Sequence, residues 1–398
     1  MATNASGFYR FCCNASPGKN LVKDSEGKPF RVESSNSNDV WNSDHYKSFR
    51  QQFLNGEEPD MCERCFREEK SGVESARQKL NKRWLGSFDP ESEKASSVRY
   101  IDLRLGNLCN LKCRMCNPYA SSKWIDEWNS IVGSAELVPN NELSESETQR
   151  LKKLDWPDKD STWENLKPII DTVEEIYLTG GEPLLSLKQK ELLDHLIESG
   201  ASKNIKLKYN TNLTVLPEDI VSRWASFKVV ICNVSIDGVG ELDEYIRFPT
   251  KWSVVESNLR KLFEYQSQGM PLDIGVHVTV QMYNILKLHE ILSYLHEQFG
   301  VQPFLNILNH PHCFNIRTLP EDKKSLVESH LKDYLEFDKV REVIKYMNHE
   351  DWAKKYLSEF FKVTSAMDKN RSQNLQDLIP EVYNQSNATE SLEGQLQP

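Results

Sequence analysis

The stretch that decides the fold is residues 98–116, which read VRYIDLRLGNLCNLKCRMC. In its first half Ile101, Leu103 and Leu105 occupy alternate positions, which predicts a β-strand with one apolar face, and a cysteine-rich loop follows at once. Downstream, short β-rich runs alternate with helical stretches, and this alternation is typical of βα units that build a parallel sheet. Five further strands are predicted at 175–179, 205–211, 229–235, 272–281 and 304–308.

Three of the nine cysteines lie on that loop with the spacing Cys109-x-x-x-Cys113-x-x-Cys116. By chance such a triplet is expected about 0.005 times in a chain of this length and cysteine content. Thiolates are soft ligands that favour an iron–sulfur cluster or zinc. A structural zinc site needs a fourth ligand nearby, and no His or other Cys lies within fifteen residues of the triplet. We therefore predict an iron–sulfur cluster with one open iron; structural zinc and free thiols are the alternatives.

A second group of cysteines precedes the first strand: the vicinal pair Cys12 and Cys13, and the Cys62-x-x-Cys65 motif. An odd total of nine cysteines without an export signal does not indicate a disulfide framework. These four residues predict an auxiliary iron–sulfur cluster, and a zinc knuckle is the alternative.

Charge and hydropathy exclude several classes of protein. The 398 residues carry a net charge of −10, which disfavours non-specific binding to nucleic acid. No apolar run approaches the roughly 18 to 20 residues that cross a bilayer, and the first residues lack the features of a secretory signal. We therefore expect a cytoplasmic protein that uses no membrane, with nucleic acid unfavoured as a partner. The tryptophans at 124, 128, 156 and 163 are interpreted as packing residues.

Composition and periodicity divide the chain into regions. We expect a small cysteine-bearing domain at 1–97, the α/β core at 98–315, amphipathic helices at 316–364 and a disordered tail at 365–398. Residues 129–168 are polar and are interpreted as an insertion or lid within the core.

The remaining unusual motifs all follow predicted strands. They are Gly180-Gly181-Glu182-Pro183 after the second strand, Thr211-Asn212 after the third and Ser235-Ile236-Asp237-Gly238 after the fourth. In a (β/α) barrel the chemistry lies at the carboxyl ends of the strands, so these motifs predict one site. Two features are interpreted without ligands: Cys232 as a small buried hydrophobe, and His310, His312 and Cys313 as a loop bordering the substrate cavity.

The cysteine motif followed by the GGEP turn resembles the radical S-adenosylmethionine (SAM) superfamily over roughly residues 97–310. The N-terminal region resembles the twitch module, a short relative of the SPASM domain, although here it precedes the core. The resemblance implies a partial (β/α)6 TIM-like barrel and an oxidoreductase or modifying enzyme. In such an enzyme SAM is reductively cleaved at a [4Fe–4S] cluster, and the 5′-deoxyadenosyl radical abstracts hydrogen from a peptide, a protein side chain or a small molecule. The implied electron donor is a flavodoxin or ferredoxin. The alternative is a non-catalytic iron–sulfur or zinc protein that transfers electrons or binds a partner.

The resemblance also implies which residues contact the cluster and SAM. Cys109, Cys113 and Cys116 bind the [4Fe–4S] cluster; Gly180, Gly181 and Glu182 receive the SAM amine; Arg247 pairs with its carboxylate; Thr211, Asn212, Ser235 and Asp237 reach the ribose; Thr279, Val280 and Asn284 border the adenine. Two positions depart from the family pattern. Met115 stands where an aromatic residue often packs on adenine, and Leu213 stands where glycine is common. No residue could be assigned to the hydrogen-abstraction step itself.

Overall fold

The computed structural model of the chain describes residues 1–15, 20–70, 72, 74–86, 97–134 and 142–383. Its strands form a single sheet in the order β2-β1-β3-β4-β5-β6-β7-β8. The strands are β1 Ala2–Thr3, β2 Tyr9–Arg10, β3 Tyr100–Leu105, β4 Glu175–Gly180, β5 Lys206–Thr211, β6 Val229–Ser235, β7 Leu272–Val280 and β8 Phe304–Ile307. Strands β3 to β8 are parallel and stand in chain order, so the predicted α/β architecture with a parallel sheet is confirmed.

Helices connect the parallel strands and continue after the last one. Within the described residues they are α1 Ser37–Trp41, α2 Asp44–Leu54, α3 Glu63–Lys70, α4 Ala76–Arg83, α5 Ile125–Ser134, α6 Glu145–Lys152, α7 Asp160–Ile170, α8 Gln189–Glu198, α9 Glu218–Trp224, α10 Glu241–Ile246, α11 Trp252–Ser267, α12 Leu288–Phe299, α13 Glu321–Leu331, α14 Val340–His349, α15 Ala353–Arg371 and α16 Leu375–Leu378. None of these helices combines the length and the apolar character that crossing a bilayer requires.

The two faces of the parallel sheet differ in chemistry. One face carries buried apolar residues such as Ile101, Leu103, Ile176 and Leu207, which pack into the main core. We call the opposite face the polar face. The register places Asp102, Tyr177 and Lys208 side by side on it, on three neighbouring strands. The same register assigns to this face the residues Asp102, Arg104, Tyr177, Lys208, Asn210, Asn233, Ser235, Asp273, His277, Thr279, Phe304 and Asn306. Parallel strands covered on both sides read as continuous apolar runs, so this alternation marks a face that is not sealed by apolar packing.

The N-terminal region was expected to be a separate domain at 1–97, and this part of the prediction is wrong. Strand β1 pairs parallel with β3, with Ala2 opposite Asp102, and so joins the main sheet. The indole N–H of Trp156 donates to the carbonyl of Ala5 at 2.8 Å, and a Cβ at Gly7 would lie 2.8 Å from the same ring. The physical reason is size: this polar region has too few apolar residues for a core of its own and shares that of the sheet.

Two more expectations require correction. Residues 142–168 of the expected polar lid contain helices, and Trp156 and Trp163 are buried in the core; residues 135–141 lie outside the described part. The tail does not begin at 365, because α15 continues to Arg371 and α16 follows. Phe360, Val363 and Met367 are buried at helical spacing, so the apolar stripe crosses the expected boundary. The expected disorder of 384–398 falls outside the described residues.

Candidate cofactor site

The three-cysteine loop lies at the carboxyl end of β3. Cys109 and Cys113 are buried with Leu111, and Met115 and Cys116 pack against them. Burial raises the pKa of all three thiols, to about 11 at Cys116. At Cys113 and Cys116 the charge of a neighbouring thiolate adds to the rise, because the sulfur atoms lie near one another. Neutral thiols gathered in this way fit a cationic cluster, which binds thiolates and displaces their protons.

Backbone bonds fix the course of this loop. Gly106 turns the chain after β3 with φ +71°, a conformation that suits glycine. The N–H groups of Lys112 and Arg114 then donate to the carbonyls of Phe248 and Ile246 at 2.7 and 2.8 Å, which joins the loop to the end of α10. Among the described residues, no three His, Cys, Asp or Glu side chains are grouped as ligands of a single metal ion.

The glycines after β4 allow the cysteine loop to approach closely. A Cβ on Gly181 would lie 2.1 Å from the carbonyl oxygen of Leu108, and one on Gly180, whose φ is +140°, would lie 3.0 Å from the backbone of Leu105. The N–H of Glu182 donates to the same Leu108 carbonyl at 2.8 Å. The absence of Cβ atoms is therefore required by packing against the loop. Contact of the glycine carbonyls with the SAM amine stays a prediction.

The Glu182 carboxylate is held by donors of the protein itself. It accepts the Thr211 hydroxyl at 2.7 Å and the backbone N–H groups of Asn212 and Leu184 at 2.6 and 3.1 Å. Burial raises the pKa of Glu182 to about 7. Sequence reasoning found this residue but not its observed function, which is to tie the end of β4 to the end of β5.

Asn212 connects the end of β5 to the cysteine loop. Its side-chain N–H group donates to Asn110 at 3.1 Å and points to the Cys109 sulfur at 3.8 Å. The next residue, Leu213, has a φ of +54°, and its N–H donates to the Thr211 hydroxyl at 2.9 Å. A leucine therefore takes the left-handed conformation at the position where the family pattern favours glycine, at a cost of roughly 1–2 kcal/mol.

Asp237 and Arg247 form a buried ion pair. Nη1 of Arg247 donates to Asp237 at 2.6 Å, and the other carboxylate oxygen accepts the N–H of Thr279 at 2.7 Å. The Asn284 amide joins the same corner by donating to the carbonyls of Asp237 and Thr279, both at 2.9 Å. The Arg247 charge lies close enough to Cys113 to oppose the rise of that thiol's pKa. The observed partner of Arg247 is thus a protein carboxylate, and its contact with SAM stays a prediction.

The other singled-out residues fall in three places. Ser235 ends β6 on the polar face, half-buried. Cys232 and Cys313 are both buried, as the interpretation of Cys232 as a hydrophobe expects. His310 and His312 lie in tilted contact, with ring centroids 4.1 Å apart, in the loop after β8.

The four N-terminal cysteines lie near one another in the fold. A hydrogen bond from the Cys13 thiol lowers the pKa of Cys12 to about 6. Burial raises the pKa of Cys62 to about 11, and the nearby charges of Cys12 and Cys65 add to the rise. Cys13 also bonds to Asp102 on β3, which places the vicinal pair at the polar face. Residues separated by about fifty positions in the sequence therefore share one neighbourhood.

Sequence reasoning missed a group that holds the cysteine loop from the C-terminal side. Arg114 lies inside the cysteine motif and is fully buried. Its Nε donates to the Tyr245 carbonyl and its Nη2 to Gln373, both at 3.0 Å, and Nη2 also pairs with Asp368. We call these four residues the C-terminal clamp. The available signal was an arginine between two cysteines of the motif, because an arginine buried there requires a carboxylate partner.

A second buried arginine strengthens the same contact. Arg371, at the end of α15, donates through Nε to Glu127 at 2.8 Å and lies over the Trp124 ring. Glu127 also pairs with Lys112 of the cysteine loop. The last described helices are thus fastened to the loop by ion pairs as well as by apolar packing.

A parallel α/β sheet with three grouped thiols at the carboxyl end of its first core strand offers the soft ligands that a metal cluster requires. The sequence comparison is more specific, because residues 103–287 match the model of the Radical SAM superfamily. This part of the chain is similar to the domain that defines that superfamily. The comparison with curated proteins gives no match.

Solved structures supply distant likenesses. One is described as histidine-tagged anSMEcpe with bound AdoMet; it is 17% identical, with a TM-score of 0.39, over 57% of this chain and 55% of that chain. Another is Streptococcus suis SuiB bound to precursor peptide SuiA; it is 14% identical, with a TM-score of 0.34, over 84% of this chain and 71% of that chain. The chain thus spans just over half the length of the anSMEcpe chain.

Proposed function

We propose that the chain is a radical SAM enzyme that reductively cleaves SAM and abstracts hydrogen from a substrate. The observation that carries the proposal is the position of the three-cysteine loop. It lies within the matched domain, at the carboxyl end of β3, with Cys109, Cys113 and Cys116 gathered in one partly buried group. The carboxyl ends of neighbouring strands bring the GGEP turn and Asn212 to the same loop.

In this proposal Cys109, Cys113 and Cys116 hold a [4Fe–4S] cluster, which when bound supplies the electron that divides SAM into methionine and a 5′-deoxyadenosyl radical. The chain's own residues organise the site. Arg247 places a positive charge beside Cys113, which favours the thiolate form that a cluster requires. Met115 packs on the cysteine group and offers a thioether to an aromatic base.

We divide the proposed SAM contacts into two groups. Direct contact with SAM is proposed for Met115, the carbonyls of Gly180 and Gly181, and Ser235. Residues already bonded within the protein are proposed chiefly to position them: Glu182, Thr211, Asn212, Asp237, Arg247, Thr279, Val280 and Asn284.

Several finer features of the molecule are proposed as well. The six parallel strands in chain order have the sequence of strands that a partial (β/α)6 barrel requires. We propose that the N-terminal cysteines form a twitch-like auxiliary cluster site. A peptide or protein side chain is the favoured substrate over a small molecule, a flavodoxin or ferredoxin supplies the electron, and the setting is cytoplasmic.

The test is anaerobic reconstitution with iron and sulfide, reduction with dithionite in the presence of SAM, and measurement of 5′-deoxyadenosine by mass spectrometry. We expect turnover by the native chain and loss of turnover in Cys113→Ser. Cys232→Ser, which removes a buried thiol outside the loop, is the matched control and should retain turnover. Zinc bound at the loop, or iron without 5′-deoxyadenosine, would instead support the non-catalytic alternative.

The auxiliary site is tested by counting iron per chain. Two cubane clusters correspond to about eight irons, and one cubane with a [2Fe–2S] cluster corresponds to about six. The double variant Cys62→Ala, Cys65→Ala should fall to about four irons and retain the cluster of the three-cysteine loop. An unchanged iron count would contradict the auxiliary site.

A further inference from the structure

We infer that the polar face of the sheet binds an anionic group of the substrate, a carboxylate or a phosphate, through Lys208 and Lys339, with Arg104 at the end of the same face that lies next to the cysteine loop. The inference rests on the proposed function, because it names the substrate class of that site. It begins from position. Arg104 stands at the end of β3 next to the cysteine loop, and its charge reaches Cys116.

Lys208 occupies the middle of the polar face without an acidic neighbour. In its row the residues on the adjoining strands are Tyr177 and Ile231, both uncharged. The carboxylates in this row, Asp102 and Asp273, lie two strands away from Lys208 on either side, about 10 Å in strand spacing. The Lys208 ammonium instead lies 4.9 Å from the centre of the Tyr177 ring.

Lys339 approaches the same face from the segment before α14. Its ammonium lies 3.7 Å from the centre of the Phe304 ring, and that ring lies in tilted contact with His277, with ring centroids 5.2 Å apart. His277 is close to both lysines, because after burial their charges are what lowers its pKa. The two lysines therefore converge on His277 from opposite sides.

The two lysines differ from Arg114 and Arg247, which each form an ion pair with a carboxylate. For Lys208 and Lys339, no carboxylate lies within ion-pair distance in the part of the chain that the structure describes. Arg104, in contrast, has the negative charges of Asp102 and Cys116 nearby. Partly buried cations without a counter-charge are costly, and a bound anion removes that cost. This local excess of positive charge contrasts with the net charge of −10 of the whole chain.

The surrounding groups suit a substrate whose charged end is attached to a polar or planar part. Asn233 donates to Asn210 at 2.8 Å, and Asn306 is 3.4 Å from a ring nitrogen of His277, so amides line the face. The Tyr177 and Phe304 rings offer flat apolar surfaces beside the cations. An acidic side chain of a peptide, or a carboxylated or phosphorylated small molecule, meets these requirements.

The experiment measures binding to the full chain without SAM or reductant, so its result is separate from that of the 5′-deoxyadenosine assay. Glutarate and inorganic phosphate are titrated calorimetrically at constant ionic strength, with neutral glutaramide as the uncharged probe. We expect saturable binding of at least one anion and none of glutaramide. Binding of glutarate alone identifies a carboxylate site, and binding of phosphate alone identifies a phosphate site.

Variants then locate the binding. Lys208→Met should weaken anion binding at least tenfold, because a charged hydrogen bond is lost, and Lys208→Arg should restore it. Lys228→Met removes an exposed lysine off the face and should leave the affinity within twofold. The inference is overturned if neither anion binds saturably, if Lys208→Met binds like the native chain, or if Lys228→Met loses as much. Circular dichroism of each variant confirms that it is folded.

Discussion

Replacing Asp368 by alanine should destabilise the protein far more than a typical ion-pair substitution. Asp368 is the only carboxylate among the described residues that pairs with Arg114, whose side chain is 0% exposed. The same carboxylate accepts the Tyr245 hydroxyl at 2.8 Å and the N–H of Leu375 at 3.0 Å. Its removal leaves a buried guanidinium without its counter-charge and frees two further donors.

The expected magnitude follows from burial. Breaking a buried pair by removing one partner costs about 3–5 kcal/mol, because an uncompensated charge stays in the interior. The exposed pair of Arg341 with Glu336, whose side chains are 65% and 93% exposed, provides the matched comparison. For such a pair the cost is about 0–1 kcal/mol. We therefore expect Asp368→Ala to lower the free energy of unfolding by several times as much as Glu336→Ala.

The assay is urea unfolding at pH 7 followed by tryptophan fluorescence. The dependence of the free energy of unfolding on urea concentration is compared between variants to confirm that the unfolded state is unchanged. The double variant Arg114→Met, Asp368→Leu should recover part of the loss, because no charge is then left buried. Alkylation of Cys113 in the metal-free protein should be faster in Asp368→Ala, because the clamp no longer holds the loop. A change below about 1 kcal/mol for Asp368→Ala, the range of an exposed pair, would refute the reasoning.

Three further predictions concern single residues. Gly181→Ala should displace the cysteine loop from Leu108 and lower the iron bound per reconstituted chain, measured by mass spectrometry of the metal. Burial raises the pKa of Asp243 to about 7, so its folded form keeps a proton that the unfolded form releases above about pH 4. Stability should therefore fall between about pH 4 and 7, by at most about 4 kcal/mol, and Asp243→Asn should remove this part of the pH dependence in urea unfolding. In the metal-free protein Cys12 should react with iodoacetamide half-maximally near pH 6, whereas Cys62 should need a pH near 11.

Each of these has a control in the chain. Gly133→Ala introduces a Cβ whose nearest contact is 3.7 Å away, so it should leave iron loading unchanged. Cys13→Ser weakens the bond that stabilises the Cys12 thiolate and should shift the labelling of Cys12 to higher pH. Three results would contradict these expectations in turn. They are equal iron per chain in Gly181→Ala and the native protein, a stability difference between Asp243→Asn and the native protein that does not change with pH, and labelling of Cys12 and Cys62 with the same pH dependence.

The strands could be predicted because their sequence signals are local. The functions of side chains that depend on distant partners could not. Val229–Ser235 is a strand with the same bounds that its short apolar run predicts, and the other five predicted strands differ from the structure by at most two residues at either end. The function of Arg114 depends on Asp368, which is 254 residues away. Composition alone marked the segment after 365 as disordered, yet Met367 continues the buried stripe of α15. A polar sequence folds there because its Asp368 pairs with Arg114 of the cysteine loop and its Arg371 pairs with Glu127 of α5.

The pairing of the first strand, more than the order of regions along the chain, determines where the N-terminal cysteines lie. An accessory region that precedes the core could lie far from its site, but β1 pairs with β3 and so brings the N-terminal cysteines to the edge of the main sheet. On β3, Asp102 bonds to Cys13, and Arg104 interacts with Cys116. These two residues are separated by about 7 Å along the strand, at the strand rise of about 3.4 Å per residue. Both cysteine groups therefore border the same polar face, and a substrate bound there would lie between them.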